Sequence, residues 1–183
     1  MRNLQHHSKT SRHGIMKVTA ILFIVLLLGG CDRETTTGKR LIPTPIEAGD
    51  ECHVCGMLVN NFPGPKAQAF IRHQEQPLKF CSTTDLFSWL LQPDTPAILL
   101  VAYVHDMGRA PAWDKPSDED YVVADQAWYV IGHDMPGAMG PTLASFKEEA
   151  AARAFMQQHG GRLLRYKEIN LSVLAELMQG HSH

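Results

Sequence analysis

From Ala67 onward, short apolar runs alternate with polar breaks rich in glycine and proline, and their spacing predicts the elements. Residues 67–72 and 78–80 read as a hairpin around Gln74-Glu75-Gln76-Pro77. Ser82-Thr83-Thr84-Asp85 has the form of a capping box and predicts a helix to about Leu91, ended by Pro93 and Pro96. Residues 97–104 are almost wholly apolar, which predicts a central strand. The order then repeats. Residues 121–124 and 127–131 read as strands, and Ser145-Phe146-Lys147-Glu148 as a second capping box opening a helix to about His159. Gly160-Gly161 stops that helix, 162–166 closes as a strand, and about 169–178 is a last amphipathic helix. Each half reads β-β-α-β. The expectation is an α+β fold of two similar units, 51–106 and 121–183, joined by a loop at 107–120. The halves share a tripeptide just after a strand, His105-Asp106-Met107 and His133-Asp134-Met135.

Ahead of these units the pattern changes twice. Arg2, Lys9, Arg12 and Lys17 form a basic start with no acidic residue before Asp32. The apolar run 18–28 that follows has the length of a signal-peptide core and is too short to span a bilayer. Leu28-Gly29-Gly30-Cys31 then matches a lipobox, so 1–30 reads as a lipoprotein signal peptide and Cys31 as the lipidated residue. Several acyl chains there would anchor the protein stably, at about 0.8 kcal/mol per buried CH₂. Asp32 resembles an inner-membrane retention signal. Residues 31–50 are polar, carry Pro43 and Pro45 and show no apolar period, which predicts a flexible tether.

Charge narrows the partners. The chain has 17 basic and 19 acidic residues, and four of the basic ones lie before Cys31. A chain starting at Cys31 keeps 13 basic against 19 acidic residues, a charge of −6. It offers no basic face to a nucleic acid.

The chemistry concentrates in Cys52-His53-Val54-Cys55-Gly56-Met57. Soft sulfur donors select Cu(I), zinc or iron–sulfur centres over hard cations. A C-x-x-C pair in an oxidising compartment also fits a structural disulfide, a redox pair or part of a zinc site. Cys81 offers a third zinc ligand, but no second C-x-x-C completes a zinc ribbon. Met57 favours Cu(I): in an extended segment its side chain would face the same way as that of Cys55. A second group of soft donors is Met135-Pro136-Gly137-Ala138-Met139-Gly140-Pro141, a loop by composition and an odd place for packing methionines. His53 and His133 are weaker candidates, since imidazole also suits copper and zinc. There is no phosphate loop, nucleophile elbow or metalloprotease motif, and no enzyme activity is expected.

Taken in order, the lipobox, Cys55-Gly56-Met57, Gly64-Pro65-Lys66-Ala67-Gln68, the segment from Val104 to Trp113, Ala127-Trp128-Tyr129-Val130 and Gly137-Ala138-Met139-Gly140 resemble the NosL family. These are copper-chaperone lipoproteins of the nitrous oxide reductase assembly system. The resemblance implies two β-β-α-β units. It implies Cu(I) ligation by Cys55, Met57 and Met139; Cys52, Met135 and His133 are lesser candidates, and a second metal such as zinc is a further expectation. It further implies delivery of copper to the nitrous oxide reductase apoprotein, together with an ABC-type membrane maturation complex, from a lipid-anchored, periplasm-facing position. The first half also resembles small YHS and TRASH metal-binding modules through Cys55-Gly56-Met57-Leu58-Val59 and Phe80-Cys81-Ser82, but those modules usually carry a cysteine where this chain has Asp85. Two alternatives stay open: a thiol–disulfide protein that keeps copper ligands reduced, and a structural zinc scaffold.

Overall fold

The structure, a computed structural model, describes residues 40–179. The signal segment 1–30, Cys31 and the rest of 31–39 lie outside the described residues, as do His181 and His183. β1 (Ala67–Ile71) and β2 (Leu78–Phe80) form the expected antiparallel hairpin, with Ala67 opposite Phe80. Ser82 then caps α1 (Thr83–Leu90), its Oγ accepting the Asp85 N–H at 3.0 Å. That bond satisfies one of the donors a helix start leaves without a partner. A short helix, α2 (Thr95–Ile98), takes the first two residues expected to be strand. Pro96 fits its first turn, where the missing N–H has no helical acceptor. β3 (Leu99–His105) follows and lies inside the sheet, as its apolar run predicts.

The second half departs from expectation at two strands. β4 (Tyr121–Val123) does not open the second unit; it pairs antiparallel with β3 and completes a first sheet ordered β2-β1-β3-β4. Here Val122 lies opposite Val104 and both are buried, which gives the short strand an apolar partner on that edge. The second sheet is ordered β6-β5-β7, from β5 (Trp128–Ile131), β6 (Ala144–Phe146) and β7 (Arg162–Arg165). Ser145 is therefore a strand residue rather than a helix cap, and its Oγ donates to His105 O at 2.7 Å. α3 (Glu149–His159) starts after Glu148 with no side-chain cap. The buried neighbours Ala144 and Phe146 explain why strand wins there. The repeat is thus β1-β2-α1-β3 and β5-β6-α3-β7, and in both sheets the first strand sits between the second and third. The α+β expectation stands, with different strands in the second unit.

One core joins the two sheets. Ala67, Phe80, Ala102 and Val104 of the first sheet meet Tyr129, Ile131 and Leu164 of the second. Between them lie Leu86, Phe87 and Leu90 of α1, and Val173, Leu174 and Leu177 of α4 (Leu171–Gln179). The period of two along β5 sends Tyr129 and Ile131 into this core, while Val130 faces a second cluster with Phe146 and Ala152 of α3. No helix of the described residues is long and apolar enough to cross a membrane.

The end of the expected tether is not loose. Gln68, fully buried, exchanges hydrogen bonds with both the N–H and the carbonyl of Thr44, at 3.0 and 2.6 Å. Tyr103 donates to Leu41 O at 2.7 Å, and Ile46 is buried. Residues 41–46 have no apolar period because their backbone, rather than their side chains, makes most of the attachment.

Candidate metal centre

Two segments far apart in the sequence bring three sulfurs to one point. The first is a tight turn: Cys52 N–H donates to Met57 O and Gly56 N–H to Cys52 O, both at 2.8 Å. Gly56 sits at φ +71°, a left-handed conformation that glycine adopts without strain. The segment is therefore folded back rather than extended, and the alternation that would align the Cys55 and Met57 side chains does not apply. His53 N–H donates to Lys79 O at 2.8 Å, which ties the turn to β2. At the end of β2 stands Cys81, and one turn into α1 stands Asp85.

Cys55 Sγ lies 3.4 Å from Cys81 Sγ, and the Cys81 thiol donates to Asp85 Oδ2 at 3.0 Å. The ligand atoms of Cys52, Cys55, Cys81 and Asp85 all lie within 4.8 Å of one another. All three cysteines are free thiols, with Cys52 and Cys81 buried and Cys55 half-buried. Ser82 holds Asp85 in place, donating to its Oδ2 at 2.7 Å while accepting its N–H. Capping and ligand positioning are one interaction here.

The electrostatics favour one thiolate. The neighbouring Cys81 thiol pulls the Cys52 thiol down to about 5 against the opposing effect of burial, helped by backbone N–H groups of Cys81, Cys55 and Val54. Cys81 is pushed up by the same contact with Cys52, and burial and the Asp85 carboxylate add to that. Burial likewise raises Cys55. The N-terminus of α1 and the nearby Lys66 supply positive potential. Lys66 is itself buried, donates to Phe62 O and Pro63 O at 2.6 and 3.0 Å, and is lowered by burial to about 8.

The second unit reaches this point through α1. Thr83 Oγ1 donates to Leu143 O at 2.5 Å and Thr84 Oγ1 to Pro141 O at 3.0 Å. These bonds hold the loop that ends in Pro141 beside Cys81 and Asp85. Gly137 N–H donates to Gly140 O at 2.9 Å, closing a turn with Met139 near its tip. A Cβ on Gly137 would lie 2.6 Å from Gly140 O and 2.7 Å from Thr142 Cβ, so the turn accepts only glycine. Ala138 packs on the cysteine cluster. Met139 is 62% exposed and lines, with Asp85, Ser82, Leu174 and Met178, a cavity of about 230 Å³.

A sequence model of the NosL family matches residues 43–174, a span that takes in the cluster and the methionine turn. The chain belongs to the NosL family. It is 44% identical over 158 residues to the copper-binding lipoprotein NosL of Stutzerimonas stutzeri, covering 85% of this chain and 82% of that one. The copper-binding lipoprotein NosL of Achromobacter cycloclastes is 33% identical over 156 residues, 84% of this chain and 80% of that one. The crystal structure of the copper chaperone NosL from Shewanella denitrificans superposes with a TM-score of 0.68 at 44% identity, over 70% of this chain and 96% of that chain.

Set in this NosL fold, the residues singled out from sequence divide into two groups. Cys52 and Cys55 belong to the cluster, and Met57 follows Cys55 with its backbone N–H directed at the Cys55 sulfur. Met139 stands on the rim. Met135 and His133 lie elsewhere. Met135 lines a separate cavity with Met107, Trp113 and His159. The buried His133 packs its ring edge-on to Trp113 and Phe155, with centroids 5.3 and 5.1 Å away. Sequence reasoning weighed Cys81 only as a third zinc ligand and left Asp85 out of the ligand set. Cys81 lacks a neighbouring cysteine, and Asp85 reads locally as a helix-capping carboxylate. The module comparison carried the usable signal, since Asp85 stands where a fourth cysteine would stand.

Proposed function

We propose that this protein is a lipid-anchored carrier that binds Cu(I) on the periplasmic side and passes it to the nitrous oxide reductase apoprotein, in concert with an ABC-type membrane maturation complex. The observation that carries the reading is the convergence of three thiols on one point beneath an exposed methionine. Soft sulfur selects Cu(I). A carrier also needs an open side through which a recipient's ligand can attack before the donor lets go. Met139 on its solvent-facing turn provides that side, and Cys55, Met57 and Met139 form the transfer edge. Relatives named copper-binding lipoprotein and copper chaperone agree with it. Anchoring through Cys31 rests on Leu28-Gly29-Gly30-Cys31 and on the same relatives, and Asp32 favours the inner membrane.

The cluster suits transport better than thiol–disulfide exchange. An exchanging nucleophile must be both acidic and accessible. Here the acidic thiol, Cys52, is buried, and the more accessible Cys55 is raised. A second reading has one specific support: Asp85 completes a four-donor set with Cys52, Cys55 and Cys81, which also fits tetrahedral Zn(II). Zinc would then occupy the inner set, with copper at the Cys55–Met57–Met139 edge.

The test is competition of the purified protein with a Cu(I) chelator, with and without Zn(II). Cys55→Ser and Met139→Leu are expected to weaken Cu(I) binding, and Met139→Leu to leave stability within about 0.5 kcal/mol because the side chain is exposed. Unchanged Cu(I) affinity in both variants would overturn the carrier reading. Palmitate labelling that persists after Cys31→Ala would overturn the anchor.

A further inference from the structure

We infer that the second unit holds a soft-metal site of its own, formed by the thioethers of Met107 and Met135 and the imidazole of His159 beside Trp113. These four residues line one cavity of about 280 Å³, and none belongs to the cysteine cluster. Two thioethers and one imidazole are a donor set for Cu(I) and disfavour hard cations. The cavity is partly open, as reversible loading requires: Met107, Met135 and His159 are all half-buried.

The duplicated His-Asp-Met tripeptides build it. Met107 leaves the end of β3, where its N–H donates to Ser145 O at 2.8 Å. Asp106 Oδ1 accepts the N–H groups of Gly108 and Lys147, both at 3.0 Å, and fixes the turn around Met107. Met135 occupies the matching position of the second tripeptide. Its N–H donates to His133 Nδ1 at 3.2 Å. Asp134 takes a third role: its Oδ1 lies 2.9 Å from His159 Nδ1, and its N–H donates to His159 O at 3.1 Å. A carboxylate on one imidazole nitrogen orients the ring and makes the other nitrogen a better donor, as it does for metal-bound histidines generally. Trp113 is held as a wall, with Nε1 donating to Pro136 O at 2.7 Å and its ring stacked on Phe155 at 5.5 Å. Packing alone accounts for Met107, which rests on the Val130–Phe146 core, but not for a carboxylate-oriented histidine facing the same cavity as a second methionine.

The site uses no cysteine, so its test is independent of the function proposed above. The full chain, purified in detergent, is labelled at its methionine methyl groups and titrated with Cu(I), then in parallel with Ag(I) and Zn(II). In the Cys52→Ser/Cys55→Ser/Cys81→Ser variant, Cu(I) and Ag(I) are expected to shift the Met107 and Met135 methyl signals and the His159 ring signals, and Zn(II) is not. Should that variant fail to fold, the same signals are read in the unmodified protein, where they are expected to move after the cysteine cluster has filled. Met107→Leu with Met135→Leu, a volume-conserving pair, is expected to abolish the His159 shift, and Asp134→Asn to weaken binding about tenfold. Methyl signals unmoved by excess Cu(I), or a His159 shift that survives the double leucine variant, would overturn the site, whether or not the cysteine cluster binds copper.

Discussion

Replacing Cys81 with alanine tests the central electrostatic claim about the cluster. The neighbouring Cys81 thiol is the largest cause of the low Cys52 value, about 5 against an ordinary 9.0. At pH 7 a thiol of that acidity is about 99% thiolate, whereas one at the ordinary value is about 1% thiolate. Cys81→Ala should therefore remove nearly one thiolate per molecule at neutral pH. Because the folded value lies below the unfolded one, the thiolate stabilises the fold. That contribution is fully present above the unfolded value and is lost as pH falls through about 5. From pH 7 down to pH 4 it amounts to about two pH units of linkage, or about 3 kcal/mol. Cys55 and Cys81 are raised and remain protonated throughout that window, so they add nothing to it. The assays are thiolate ultraviolet absorbance of the metal-free protein against pH, and urea unfolding at pH 7 and pH 4. The quantity that matters is the difference between the two proteins, since carboxylates titrate alike in both. Equal thiolate absorbance at pH 7, or stability profiles that run parallel between pH 7 and pH 4, would refute the reasoning.

Three further outcomes follow from the geometry. Gly137→Ala forces a Cβ against Gly140 O and Thr142 and should displace the Met139 turn, lowering Cu(I) affinity about tenfold in chelator competition while circular dichroism stays unchanged. Gln68→Leu removes the partners of Thr44 and should cost about 2 kcal/mol in urea unfolding, with new protease cleavage at residues 41–46. Ser82→Ala removes both the α1 cap and the hydroxyl that holds Asp85; a loss of about 1 kcal/mol is expected, together with weaker metal binding, and unchanged binding would separate capping from ligand positioning.

The division between what was legible and what was not follows the range of each interaction. The first hairpin, the Ser82 cap and the stop at Gly160 depend on neighbours a few residues away, and they were readable as patterns. Ser145-Phe146-Lys147-Glu148 has the same local form as a cap, yet it became strand because Ala144 and Phe146 found a core to enter. β4 joined the first sheet because β3 offered an edge on which Val122 meets Val104. Residues 41–46 were read as tether because polar composition does not reveal a partner such as Gln68, 24 residues downstream of Thr44.

The sequence by itself determined the α+β class, the β-β-α-β order of the first unit, the sulfur-rich turn from Cys52 to Met57, the glycine-flanked Met139 and membership of a family. All of these rest on periodicity or on contiguous motifs. Only the tertiary structure decided that Cys81 and Asp85 complete the cysteine cluster, that Met139 stands at its rim, and that Met135 belongs instead with Met107 and His159. The bonds that hold those groupings include Cys55 to Cys81 and Thr83 to Leu143, which join positions 26 and 60 residues apart. Their existence depends on how two sheets and two helices share a core, and no local pattern in the chain encodes that.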